Sequence, residues 1–178
     1  NPAITIITHR NYDRIDNVSV FLIASPIIKK WHPQLTIGLQ KQWMDIEHNS
    51  RMLSMDRPLF IGRFNNGIQF PYGWTLHVDL FFQGKGDFQN IYINKNVFMM
   101  DASLTKSFFD DRLSFNLQGI DLTHGRKDGN VIYNKHMDLT VNNVTDSREV
   151  RLTVRYKFNT TKNKYKGKGA AEEEIRRL

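Results

Sequence analysis

The chain of 178 residues is long enough for one core of ordinary size and cramped for two. Hydrophobic residues make up 40% of it, mean hydropathy is -0.49, and no run reaches the roughly 18 apolar residues of a helical span, which excludes membrane helices but not membrane strands. The absence of cysteine excludes a disulfide framework and a Cys-based zinc site, and the formal charge of +7 is dispersed through strands and loops, with a cluster in the tail, a distribution that argues against a nucleic-acid partner.

Taken in chain order, apolar side chains recur at every second position over segments of roughly nine to eleven residues, the length of a tilted membrane strand. Asn1-Pro2-Ala3-Ile4 has no Met, basic region or apolar leader, and Ile4 with Ile6 already alternates, so the chain is expected to begin inside a longer sequence. Strands follow with Val18, Val20, Leu22 and Ala24; Leu35, Ile37, Leu39 and Trp43; and Phe60, Phe64, Ile68 and Phe70 on one face. The pattern continues through Trp74, Leu76, Val78, Leu80 and Phe82, then Phe98, Met100, Ala102, Leu104 and Phe108, and more weakly through Leu113, Phe115 and Leu117. Its clearest instance is the last, where Val150, Leu152, Val154, Tyr156 and Phe158 oppose Arg151, Thr153, Arg155 and Lys157.

The connections alternate in length. Short turns are expected at 25–33, Pro71-Tyr72-Gly73 and Asp110-Asp111; longer polar loops at 11–17, 47–57, 84–94 and 123–148, the last holding extra strand over 129–143. Outer-membrane barrels place short turns on the periplasmic side and long loops outside, and counting back from the last strand fits that rule throughout. Residues 1–159 therefore read as about eight strands of an all-β, antiparallel transmembrane barrel in the outer membrane of a Gram-negative cell, and 160–178 as a polar periplasmic tail.

Alternation does not itself say whether the apolar face meets lipid or encloses a ligand, as in a lipocalin-like carrier of similar size. Lipid is favoured by aromatic residues at strand ends, Trp31, Trp43, Phe70, Tyr72, Trp74, Phe108, Tyr156 and Phe158, where a membrane girdle lies. The opposite face, with Arg63, His77, Asp79, Asp101, Arg151 and Arg155, suits a wet lumen. Lys41 and Lys106 fall on the apolar face and are expected near strand ends, where they can snorkel.

The runs KSFFDDRLSFNLQGIDL (Lys106 to Leu122) and SREVRLTVRYKFNTTKNKYKGKGAAEEEIRRL (Ser147 to Leu178) resemble the end of the TonB-dependent receptor-like outer-membrane β-barrel family. Looser similarity extends through IIKKW, RPLFIGRFNN and YGWTLHVDLFFQGKGDFQN, so the resemblance covers nearly the whole chain. It implies the C-terminal third of a barrel of about 22 strands. It also implies an N-terminal plug and further strands outside this chain, nutrient uptake powered through TonB, and a possible lipoprotein partner at the surface. Outer-membrane lipid and lipopolysaccharide would surround it; Arg126, Lys127, Lys135 and Arg148 could meet lipopolysaccharide phosphates, although ordinary solvated loops explain these residues equally well. A stand-alone eight-stranded structural or adhesion barrel is the alternative within the membrane class.

No residue pattern nominates catalysis. His77-x-Asp79 shares a strand face but reads as two lumen polar groups, and the other histidines have neither HExxH nor His-x-His spacing. Gly84-Lys85-Gly86 and 125–129 lack the strand-to-helix setting of a phosphate loop. The expectation is a non-enzymatic protein without metal or cofactor.

Overall fold

The structure is a computed structural model that describes Asn11 and residues 13–158; the strand expected at Ile4 and Ile6 and the tail at 160–178 lie outside the described residues. The elements are β1 Asp16–Ala24, β2 Trp31–Trp43, β3 Asp45–His48, β4 Arg51–Ser54, β5 Leu59–Phe70, β6 Trp74–Gln83, β7 Gly86–Phe88, β8 Ile91–Ile93, β9 Val97–Phe108, β10 Leu113–Ile120, β11 Lys127–Asn134, β12 Met137–Val144 and β13 Glu149–Tyr156. Seven of them form one antiparallel sheet in the order β1-β2-β5-β6-β9-β10-β13. The sheet is not closed among the described residues, since β1 and β13 are its two outer strands.

Register turns seven separate alternations into one surface. Leu39 stands opposite Val20 on one side and Phe60 on the other; Leu76 lies between Ile68 and Leu104; Leu117 lies between Leu104 and Leu152. A slip of one residue at any strand would send its apolar set to the other face, so this agreement holds the pairing as a whole. Asn66 is a polar exception in the middle of the apolar face, and it accepts a hydrogen bond from Trp31 Nε1. Phe21 is the converse exception: on the polar face of β1, its ring lies over Gly38 of β2, so close that a Cβ there would sit 2.4 Å from it. Pro33 belongs to β2 and not to the preceding turn as its type suggests. The β1 pairing stops at Ala24 opposite Leu35, so β2 has no neighbour on that side at Pro33 to miss an N–H.

The apolar stripe is not the core of a water-soluble body. Leu39 on β2 and Leu117 on β10 are each 50% exposed although strands flank them on both sides, and the buried apolar side chains among the described residues are Met44, Ile46, Met55, Leu59 and Val97, none of them in the stripe. This is the reverse of a lipocalin-like carrier, where the stripe would be enclosed.

Short connections lie at one end and long ones at the other. At the turn end, β5 and β6 join through a 3-10 turn over Pro71–Gly73, where Gly73 has φ 74° and a Cβ would approach Ser107 O to 2.8 Å, so only glycine fits. Residues 109–111 between β9 and β10 are all left-handed. At the loop end, the connections expected as polar loops are built. β12-β11-β8-β7 form a second antiparallel sheet, and β3-β4 a hairpin whose Asn49 and Ser50 take the positive φ of a type I′ turn. Met44, Ile46 and Met55 form a small buried cluster there, covered by Ile15, Leu53, Tyr92 and Tyr133.

Candidate functional site

Strand parity places all six expected lumen residues on the polar face: Arg63 on β5, His77 and Asp79 on β6, Asp101 on β9, and Arg151 and Arg155 on β13. They do not form one cluster. Arg63 lies 5.6 Å over the Phe81 ring, and His77 folds against Gly67 on the neighbouring strand. Asp79 and Asp101 are directly opposed across β6 and β9. Arg151 holds Glu149 through Nε and Nη2 at 2.9 and 3.1 Å, and Arg155 is paired in register with Ser114.

This face carries three connected recesses. The first, of about 320 Å³, lies between the top of the large sheet and the second sheet, lined by Gln83, Val97 and Met99 below and Phe88, Ile91 and Ile93 above. Met99 and Arg126 also line the second recess, with Arg63, Asp79 and Asp101. Asn65 and Asp79 join that one to the third, which reaches His32, Gln69 and His77 toward the turn end. Together they make a track along the polar face, from an apolar mouth through opposite charges to amide and imidazole groups.

The apolar face has its aromatic residues toward both strand ends. Trp31, Phe70, Tyr72, Trp74, Phe108, Tyr156 and Phe158 lie toward the turn end and Trp43 at the loop end, all more than a third exposed. The two lysines of this face are at strand ends: Lys41 Nζ is 5.2 Å from the Trp43 ring, while Lys106 Nζ lies 5.1 Å from Trp74 and 5.0 Å from Phe108 and donates to Tyr72 O.

Three polar knots hold the loop-end layer, and sequence reasoning did not single them out. Gln42, 2% exposed, donates through Nε2 to Gln89 O and accepts from Gln89 N, each at 2.7 Å, which ties β2 to the turn between β7 and β8. Arg57 donates to Asp87 Oδ2 from its backbone N at 2.9 Å and Nε at 3.1 Å, and its guanidinium stacks 3.8 Å over Tyr92. Burial pulls Arg57 down, but the hydrogen bond and charge of Asp87, aided by Tyr133, outweigh it and leave Arg57 above its ordinary value. Asp121, 1% exposed, accepts from Gly125 N at 2.7 Å, Arg126 N at 3.3 Å and Ser147 Oγ, while its own N donates to Asp101 Oδ1 at 2.7 Å. Its only sequence signal is an Asp between an apolar strand and a Thr-His-Gly turn, a common turn-starting pattern.

The hairpin tips also meet. His48 stacks edge-on against Tyr133 at 5.4 Å, with Nδ1 2.7 Å from Asn134 O and Nε2 3.0 Å from Asp138 Oδ1. Beside it, Asn49 N donates to Lys135 O at 2.8 Å and Lys135 Nζ pairs with Glu47 at 2.8 Å. His48→Leu keeps the bulk and removes these polar contacts and the one between Nε2 and Asn49 Nδ2, at a cost of about 1–2 kcal/mol. The expected outcome is faster hydrogen exchange at Asn49 N–H with β9 and β10 unchanged; unaltered exchange at Asn49 would show that the tips are held without His48.

Of the four basic residues expected to meet lipopolysaccharide, Arg126 and Lys127 line the first recess and Lys135 pairs with Glu47 at the hairpin tips. Among the described residues, no three His, Asp or Glu side chains gather as a metal site, and no helix is long and apolar enough to cross a membrane, which says nothing of strands.

Comparison with known proteins agrees with this geometry at the level of fold and setting. Searches of curated proteins and of solved structures find no match. Residues 1–156, nearly all the strand-forming part of the chain, match the family model described as the outer membrane protein beta-barrel family. With an apolar face continuous across seven strands, a polar face bearing the recesses, and turns and loops sorted to opposite ends, the chain belongs to the outer membrane protein beta-barrel family.

Proposed function

We propose that these strands are barrel wall near the C-terminal end of a TonB-dependent receptor that takes up nutrients across the outer membrane, with the loop end outside the cell and the turn end in the periplasm. The observation that carries the reading is the track of three recesses along the polar face, which runs from the built loop layer toward the short turns.

The open sheet edges support the same reading. Unpaired backbone groups along β1 and β13 would each cost several kcal/mol in hydrocarbon, so on this reading strands outside the described residues pair with both edges, and about 22 is the number at which a barrel holds a plug. The plug, and TonB acting through it, supply the energy-dependent step; this wall supplies the path and carries out no covalent chemistry. On this reading outer-membrane lipid and lipopolysaccharide surround the apolar face, and Lys41, over Trp43 at its loop end, meets lipid phosphate. The loop layer is the surface available to a lipoprotein partner.

The 178 residues hold no cysteine, so single reporters test orientation directly. In intact cells, Ser50→Cys should react with a membrane-impermeant maleimide and Asp110→Cys should react only after lysis. The reverse pattern would refute the orientation. Uptake that persists after removal of the cell's TonB would refute the receptor assignment and leave the barrel standing.

A further inference from the structure

The first recess combines two chemistries that are seldom left side by side without use. Its inner surface is apolar, formed by Phe88, Ile91, Ile93, Val97 and Met99, and its rim carries Arg126 and Lys127. Among the described residues, neither cationic side chain has an ion-pair or hydrogen-bond partner. Asp128, also on the rim, is engaged by Asn143 Nδ2 at 3.1 Å and faces β12. Two cations against one carboxylate give the recess an excess of positive charge beside its apolar area.

We propose that this recess binds a small anionic molecule with an apolar body, its acid group between Arg126 and Lys127 and its body against the surface between Phe88 and Met99. The volume of about 320 Å³ is at the lower end of small-molecule sites, so the ligand is compact. A guanidinium can hold a carboxylate, sulfonate or phosphate bidentately, and the neighbouring ammonium adds a second charge. Arg126 also borders the second recess, where Asp79 and Asp101 oppose each other. Those carboxylates repel an anion, so the acid group is drawn to the mouth and held away from the middle of the track. Backbone geometry fixes Arg126 in place: its N–H is bound by the buried Asp121. The inference rests on the polar face being the lumen wall of a transporter and names the class of solute that enters it.

The test uses the full-length protein in nanodiscs of outer-membrane lipid, with empty nanodiscs as control. The probes are para-(trifluoromethyl)benzoate and the neutral alcohol of the same shape, followed by fluorine NMR line broadening. Wild type should broaden the benzoate well before the alcohol. Arg126→Gln with Lys127→Gln should weaken benzoate at least tenfold and leave the alcohol unchanged, whereas Asn130→Trp, which fills the recess from the second sheet, should weaken both. Heat-dependent gel mobility verifies that each variant is folded. Equal broadening by the two probes, unchanged benzoate binding in the double variant, or no broadening by folded wild type each overturns the site. Those results leave the barrel-wall reading intact, which energy-dependent uptake and surface labelling measure separately.

Discussion

Exchanging the identities of Leu104 and Lys106 within β9 is expected to abolish assembly, although composition, length and net charge are unchanged. At position 106 the ammonium lies beside Trp74 and Phe108 and reaches Tyr72 O at the turn end, so it sits at the membrane boundary. At position 104 it would stand between Leu76 and Leu117 on the apolar face, further from the turn end of β9 at Phe108 and toward the middle of the strand. A lysine on a lipid face costs about 2–4 kcal/mol at mid-membrane and about 0–1 near the interface. The difference is a large part of the stability of an ordinary domain. The leucine moved to position 106 would also leave Tyr72 O without its donor. The measurement is the fraction of folded, heat-modifiable protein in the membrane. Ser103→Lys provides the control: one residue away but facing the other side, opposite His77 and Gln118, it should assemble normally. If the exchanged protein assembled and Ser103→Lys failed, the two faces would be the wrong way round.

Such a sharp prediction is possible because the large sheet was legible in the sequence. Period-two alternation is a property of each strand alone, and the long strands β2, β5, β6 and β9 repeat it often enough to fix their faces. The loop-end layer was not legible in the same way. β7 and β8 have three residues each, too few to show a period, and β8 finds its second partner in β11, more than thirty residues further on. The segment over 129–143 did carry apolar alternation, and it forms the hairpin β11-β12. What alternation could not reveal was that the hairpin packs on β8 or that its tip meets His48. The polar knots were harder still, since Asp121 and Ser147 are 26 residues apart and each alone is an ordinary loop residue.

The second large effect is expected at Asp121, where one buried residue holds three segments of chain, two of them through its carboxylate. Its oxygens accept from Gly125 N and Arg126 N in the connection to β11 and from Ser147 Oγ in the connection to β13, while its backbone N is bound by Asp101 on β9. Burial pushes this carboxyl up, but the Ser147, Gly125 and Arg126 hydrogen bonds and the nearby His124 charge outweigh it and hold it below its ordinary 3.8. A depressed carboxyl stabilises the folded form fully above its unfolded value, and that contribution is lost as pH falls below about 3.8 and through the lower folded value. Asp121→Ala leaves two backbone donors and a hydroxyl without their acceptor, and each hydrogen bond to a charged group is worth about 1.5–3 kcal/mol. The strands of the large sheet keep their own ladder, so the loss should be local: protease cleavage within 122–148 while β10 and β13 stay paired. Wild type should show the same cleavage only in acid below the usual carboxylate range, and Asp121→Asn should cleave independently of pH across that interval. Arg126 would lose its anchor in both variants, so benzoate binding at the first recess should fall with the loop. An Asp121→Ala protein whose 122–148 segment resists protease as wild type does would show that the second sheet, and not this carboxylate, holds the mouth of the track in place.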